Sequence, residues 1–295
     1  VTQDSSSPDG FSNSLKIDVT TADTSLAVNH ADQILYRVEA QDLQQLAFGT
    51  SSAKNFTLSF YVKSNKTGTY SVNIGQKDNS YKQANLTYTI NSANTWERKA
   101  LTFTGDTSGV INDDNGHGFE IVWVLAAGTN FTSGSNSASF VTYADANYSA
   151  NHGVNVFDST DNTWFLTGVQ LEVGQNPTEF EHEPFERTLH KCQRYFQLVD
   201  SSSGVTVNTT TVQFNVPFPV EMRATPSSVS LSTARITDHF SADAESTSPS
   251  PSLSSSDKGG IRVQMSGFSS LTQGRFVGFL PSGGNSLPMR FDAEL

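Results

Sequence analysis

Phe56-Thr57-Leu58-Ser59-Phe60-Tyr61-Val62-Lys63 alternates apolar and polar side chains without a break. A period of two becomes one apolar face only in an extended strand. Phe56, Leu58, Phe60 and Val62 are therefore expected in a core. Thr57, Ser59, Tyr61 and Lys63 are expected to point outward, as in an antiparallel sheet wetted on one side. Ser64 to Gly68 follows as a turn, because Asn and Gly tolerate positive φ. The same rhythm returns at Tyr70, Val72 and Ile74, at Leu86, Tyr88 and Ile90, and at Leu101 and Phe103. Phe119 to Leu125 is apolar at nearly every position and reads as a central strand, and Trp164 to Val173 reads as another. Strands recurring at intervals of about 8–20 residues, with Gly, Asn and Ser between them, predict an all-β sandwich. One short helix is expected near Leu43 to Phe48.

The rhythm fails between Thr129 and Asn162, where Phe131, Phe140, Tyr143 and Tyr148 are scattered among small polar residues. A connection this long is either functional or an extra hairpin or Ω-loop packed by its own aromatics. Pro177 to Leu198 is the best helix candidate, with Pro184 near its start and Leu189, Cys192 and Phe196 as an apolar stripe. A buried Cys192 would react with thiol reagents only after denaturation. Further strands are expected at Val205 to Phe214, Ser228 to Ile236, Ile261 to Phe268, Arg275 to Phe279 and Met289 to Glu294. Ala242 to Gly260, rich in Ser, Pro, Asp and Gly, reads as a flexible loop open to proteolysis. The expected organisation is a β-sandwich over 1–182, a linker helix over 183–198 and a smaller C-terminal β domain over 199–295.

With 295 residues the chain has length for about two domains and needs no metal or disulfide staple. Its one cysteine, Cys192, excludes an intrachain disulfide and CxxC metal sites. The formal charge of −11 disfavours nucleic acid and anionic membranes as partners. No apolar run approaches the length of a membrane-spanning helix. The chain opens at Val1 with a polar stretch to Asn13, as a processed form or a fragment would.

Catalytic motifs are missing. There is no GxSxG elbow, P-loop, HExxH or Rossmann glycine fingerprint, and Gly283-Gly284 lacks the strand–helix context of a dinucleotide loop. The histidines are scattered. Asp113-Asp114-Asn115-Gly116 resembles part of a calcium loop but lacks the spacing and closing Glu of an EF-hand. It reads as a turn, and no cofactor is expected. Glycoside hydrolysis needs two carboxylates facing each other across a cleft, and no pair stands out. The chain offers instead aromatic and amide side chains, which stack on sugar rings and read their hydroxyls. Trp123 shares parity with Phe119 and Ile121 and belongs to the core. Trp164 shares parity with Gly168, Gln170 and Glu172, on the more polar face, and Tyr61 lies opposite Phe60 and Val62. The candidate sugar-facing residues are Tyr61, Trp164 and Gln170, followed by Tyr143 and Tyr148 in the long segment.

Three blocks carry a family resemblance: Phe56 to Tyr70, Trp123 to Gly134, and Thr167 to Gly174 followed by Thr178-Glu179-Phe180-Glu181 and Cys192-Gln193-Arg194-Tyr195-Phe196. Together they resemble the carbohydrate-binding-module-like domains of tail-fibre and related virion proteins of marine bacteriophages, over about Ser5 to Gln197. Phe218 to Pro226 and the ending Asp292-Ala293-Glu294-Leu295 resemble the C-terminal β domain of those proteins, so the chain is expected to end where a longer fibre ends. The resemblance implies a jelly-roll β-sandwich on the exterior of a virion. It further implies a homotrimer that touches a host cell-surface polysaccharide or lipopolysaccharide beside other virion proteins, without catalysis. Two further readings stay open: a purely structural fibre, capsid or tail-decoration component, and a polysaccharide depolymerase.

Overall fold

The computed structural model describes residues 1–78, 80–238, 243–280 and 288–294, leaving aside the side chains of Ser255 and Ser256. His239, Ala242, Gly283, Gly284 and Leu295 of the sequence reading lie outside the described residues. The chain divides into two compact units, Val1–Glu181 and His182–Glu294.

The first unit contains β1 (Thr2–Asp4), β2 (Ser14–Asp18), β3 (Ala31–Glu39), β4 (Phe56–Ser64), β5 (Gly68–Gln76), β6 (Lys82–Ile90), β7 (Glu97–Phe103), β8 (His117–Ala127), β9 (Ser137–Thr142) and β10 (Thr163–Val173). They form two five-stranded antiparallel sheets, in the orders β1-β2-β10-β4-β7 and β3-β8-β5-β6-β9. The fold is an all-β sandwich. Phe56, Leu58, Phe60 and Val62 are wholly buried between the sheets, beside Val72, Ile74, Phe119, Ile121 and Trp123. Phe56 stacks on Phe103 with ring centroids 5.3 Å apart, and Phe60 meets Trp123 edge-on at 5.8 Å. Burying each such ring contributes roughly 1.5–3 kcal/mol. The short helix near Leu43 is a 3-10 helix over Ala40–Leu46, with Leu43 and Leu46 in the core.

Neither outer face is as wet as strand alternation predicts. On the first sheet, Thr57 and Ser59 are buried. The chain after β10 returns across them, and the Thr57 and Thr102 hydroxyls donate to the carbonyls of Gly174 (2.9 Å) and Gln175 (3.1 Å). On the second sheet, β8 is buried on both faces. The segment from α1 (Thr129–Thr132) to Gly153 folds over it. Phe131, Tyr143 and Tyr148 pack there on Val122 and Val124. The long segment thus supplies an edge strand, β9 on β6, and a strap held down by its own aromatics.

The second unit contains α2 (Phe185–Gln193), β11 (Phe196–Val199), β12 (Ser202–Thr206), β13 (Thr211–Pro217), β14 (Ser228–Ser230), β15 (Ala234–Thr237), β16 (Ala244–Ser246), β17 (Ser250–Ser256), β18 (Gly260–Ser266), β19 (Phe276–Leu280) and β20 (Met289–Asp292). A seven-stranded sheet runs β16-β15-β19-β12-β13-β18-β17, and a three-stranded one runs β11-β20-β14. Phe214, Phe279, Phe291, Met265 and Met289 fill this unit's core. Two expectations are corrected. The helix is shorter than Pro177 to Leu198, starts after Pro184, and buries none of its residues; Cys192 is exposed and should label in the folded protein. Within the stretch read as a loop from Ala242 to Gly260, the described residues include β16 and β17. Serine-rich composition concealed an edge strand, where Pro251 needs no partner for its missing N–H.

Candidate functional site

The sequence-derived candidates separate into three environments. Trp164 is 0% exposed, so its ring offers no face to a ligand. The parity argument failed at a β-bulge. Thr167 pairs with Tyr61 and Gln170 pairs with Ser59, so β10 spends three residues where β4 spends two. Gly168 takes φ +58° there, which only a residue without Cβ does at low cost. Trp164 and Leu166 before the bulge, and Leu171 after it, all pack with the core.

Tyr61 and Gln170 lie on the outer face of the first sheet, and both are engaged. The Tyr61 ring sits 5.3 Å from Phe11, which in turn sits 5.0 Å from Phe180, and the Arg98 guanidinium is 6.0 Å from the Tyr61 ring. Gln170 accepts from the Glu181 N–H (2.8 Å) and donates to the Glu179 carbonyl (3.3 Å). Its amide therefore pins the returning chain rather than facing solvent freely.

Tyr143 and Tyr148 come together on the outer face of the second sheet. There they join Tyr81, a residue the sequence reading did not single out. Tyr81 and Tyr143 stack with centroids 4.3 Å apart and planes 15° off parallel, and Tyr148 meets Tyr143 edge-on at 6.2 Å. The Lys77 ammonium lies 3.4 Å from the centre of the Tyr81 ring. Lys77 and Tyr143 are too close to share one face of that ring, so Tyr81 is sandwiched between them. Glu120 holds Lys77 at 2.8 Å and Arg37 at 3.8 Å. Ser80 and Tyr81 have φ of +54° and +33°, a conformation costly for residues with a side chain. The contacts with Lys77 and Tyr143, and the Tyr143 N–H that donates to the Tyr81 carbonyl (3.1 Å), hold Tyr81 in that conformation.

Beneath the tyrosines lies a layer of amides. Asn73 and Asn85 both donate to the Tyr148 carbonyl, at 2.9 and 3.2 Å. The Tyr148 hydroxyl donates to Gln33 Oε1 at 2.8 Å. Burial raises the Tyr143 phenol well above its ordinary value, with Asp145 adding to the effect. Burial likewise raises Tyr148 and Tyr81. All three phenols keep their protons near neutrality; that of Tyr148 is already given to Gln33, and Asp145 hydrogen-bonds that of Tyr143. The signal for this layer was legible: Ser71, Asn73 and Gly75 share one parity of β5, opposite Tyr70, Val72 and Ile74. What no local pattern shows is that a strap 75 residues downstream of Asn73 lands on them.

Among the described residues, no group of His, Cys, Asp and Glu is placed to hold a metal ion. The Asp114 carboxylate accepts from the Gly116 N–H (2.8 Å), closing a turn.

No protein-family model matches the chain, and no curated protein matches it. Among solved structures it is similar to one described as "Family 16 Carbohydrate Binding Module-2", at 14% identity and TM-score 0.26, over 55% of this chain and 78% of that one. It is also similar to one described as "CBM4 structure and function", at 14% identity and TM-score 0.28, over 57% and 74%.

Proposed function

We propose that the chain is a non-catalytic, carbohydrate-binding virion protein: a tail-fibre-type adhesin on the exterior of a phage particle that recognises a host-surface glycan. The observation that carries the sugar-binding part is the Lys77–Tyr81–Tyr143 stack beside Tyr148, Gln33 and Glu120. The partly exposed Tyr143 ring is the aromatic surface a sugar ring would stack on. The Tyr143 phenol and the exposed amide of Gln33 nearby match the donors and acceptors of a sugar ring, while buried Glu120 and Tyr148 hold them in place. The virion part rests on the three sequence blocks quoted above. A homotrimer would multiply weak individual affinities through effective concentration, so shallow sites suffice.

The test is binding of host polysaccharide by wild type and by Tyr143→Ala. We expect the variant to lose at least tenfold in affinity with only a small fall in its thermal melt, since Tyr143 also packs on Val122 and Val124. Unchanged binding would remove this surface from the proposal. A second reading, a purely structural virion component, is favoured by one observation: the strap buries much of the outer face that would otherwise be open. Competition for adsorption separates the two, since purified adhesin blocks infection and a structural part does not.

A further inference from the structure

The second unit carries an exposed aromatic ring on a sheet face whose other side chains are mostly polar. Phe276 is 87% exposed, the most exposed phenylalanine among the described residues. Along β19, Val277 and Phe279 enter the core, so Phe276 and Gly278 share the opposite face. The register places Phe276 opposite Val205, and Val205 opposite Gln213. The next row runs Gly278, Ser203, Asn215, Arg262. These two rows border a shallow groove of about 380 Å³, lined by Ser203, Val205, Gln213, Asn215, Arg262 and Phe276. That volume falls within the roughly 300–1,000 Å³ of small-ligand sites.

Three features give the groove a chemistry. Gly278 has no side chain, and Ser203 beside it has a small one, so a ring stacked on Phe276 has a low floor to lie along. Arg262 is the one charged residue in the lining. Its Nε–H donates to Asn215 Oδ1 at 3.3 Å, and its terminal nitrogens have no protein partner among the described residues. Phe276 and Arg262 stand three strands and one row apart, roughly 16 Å at the usual strand spacing and rise. That span suits a short oligosaccharide rather than a single ring.

We propose that this groove binds an acidic saccharide. One sugar ring stacks on Phe276, Gln213 and Asn215 meet hydroxyls, and a hexuronate carboxylate takes the two free nitrogens of Arg262 side by side. Such a planar fork matches the two oxygens of a carboxylate with parallel hydrogen bonds. The overall charge of −11 does not prevent this, because repulsion from distant surface charges is screened beyond about 8 Å at physiological salt. The site lies in the second unit and does not rest on the reading of the tyrosine surface in the first.

The experiment titrates the full chain with trigalacturonate and trimannuronate, and with their methyl esters, which keep the rings and remove the charge. Wild type should bind at least one of the acids, and its ester at least tenfold more weakly. Phe276→Ala should weaken acid and ester alike by at least tenfold. Arg262→Gln should weaken the acid to the level of the ester and leave the ester unchanged. Tyr143→Ala should bind the acid as wild type does, which keeps the result separate from the proposal for the first unit. No binding of either acid at millimolar concentration, equal affinity for acid and ester, or indifference to Phe276→Ala would each overturn the inference. A drop in sedimentation coefficient for Phe276→Ala, without a change in sugar binding, would assign the face to a second copy of the chain instead.

Discussion

At the residue scale, exposure separates side chains that hold the fold from those free to recognise. Trp164 is wholly buried, whereas Tyr143 is only partly buried. Trp164→Ala should cost about 3–5 kcal/mol in chemical denaturation. Tyr143→Ala should cost far less there and should change binding instead. His152 gives a pH dependence with a definite sign. Its Nε2–H donates to the Val154 carbonyl (2.7 Å) and its Nδ1 accepts from the Ser71 N–H (3.2 Å). Burial, only partly opposed by hydrogen bonds to the Val154 and Leu125 backbone, pulls its pKa from 6.5 down to about 4. Between those values the unfolded chain binds a proton that the folded chain refuses. Stability therefore falls as pH drops through that window, by about 3 kcal/mol in all. Denaturant titrations at pH 7 and 4.5 should show it, and His152→Asn should flatten the slope. Glu97 acts lower on the scale. Burial would raise it, but hydrogen bonds from Lys99, Ser92 and Asn91 outweigh that and hold it at about 2. Its stabilisation is complete above about 4.5 and is lost as pH falls toward 2.

At the element scale, the decisive feature is the bulge in β10. The sequence rhythm of β4 predicted its buried face residue by residue, because a period of two survives wherever pairing is regular. In β10 the same reasoning put Trp164 on the wrong face, because one extra residue at Gly168 reverses parity. A glycine inside a strand pattern was the available warning. A Cβ added to Gly168 would stand 2.7 Å from the Phe11 ring and 2.9 Å from the Tyr61 ring. Gly168→Ala should thus destabilise by more than about 1 kcal/mol, from the positive φ and from crowding together. Denaturation that leaves the midpoint unmoved would contradict that account. Composition misled in the other direction at β17. Its serines read as loop, yet Ser250–Ser256 pairs along β18. Backbone amides of β18, which lies between β13 and β17, should exchange slowly in deuterium, and rapid exchange there would contradict the pairing.

At the scale of the whole molecule, two separate hydrophobic clusters serve two compact units. Each has its own phenylalanine-rich core, so fragments 1–181 and 182–295 should each fold and unfold cooperatively when produced alone. The class of fold was legible because antiparallel pairing writes its period locally. The candidate surface was legible only in part. Tyr143 and Tyr148 were noticed as aromatics in an irregular segment. Tyr81 and the amides beneath it become a surface only when the strap crosses the sheet, which is a long-range event.

The central claim is that the protein recognises sugar on a passive sheet surface and leaves its bonds intact. The most direct measurement is a nuclear magnetic resonance titration of the full chain with host polysaccharide oligomers, with the oligomer length followed in the same tube. The account predicts shifts concentrated at Lys77, Tyr81, Gln33 and the 143–148 stretch, with no shortening of the oligomers. Shifts absent from that surface, or oligomers cleaved during the titration, would contradict it.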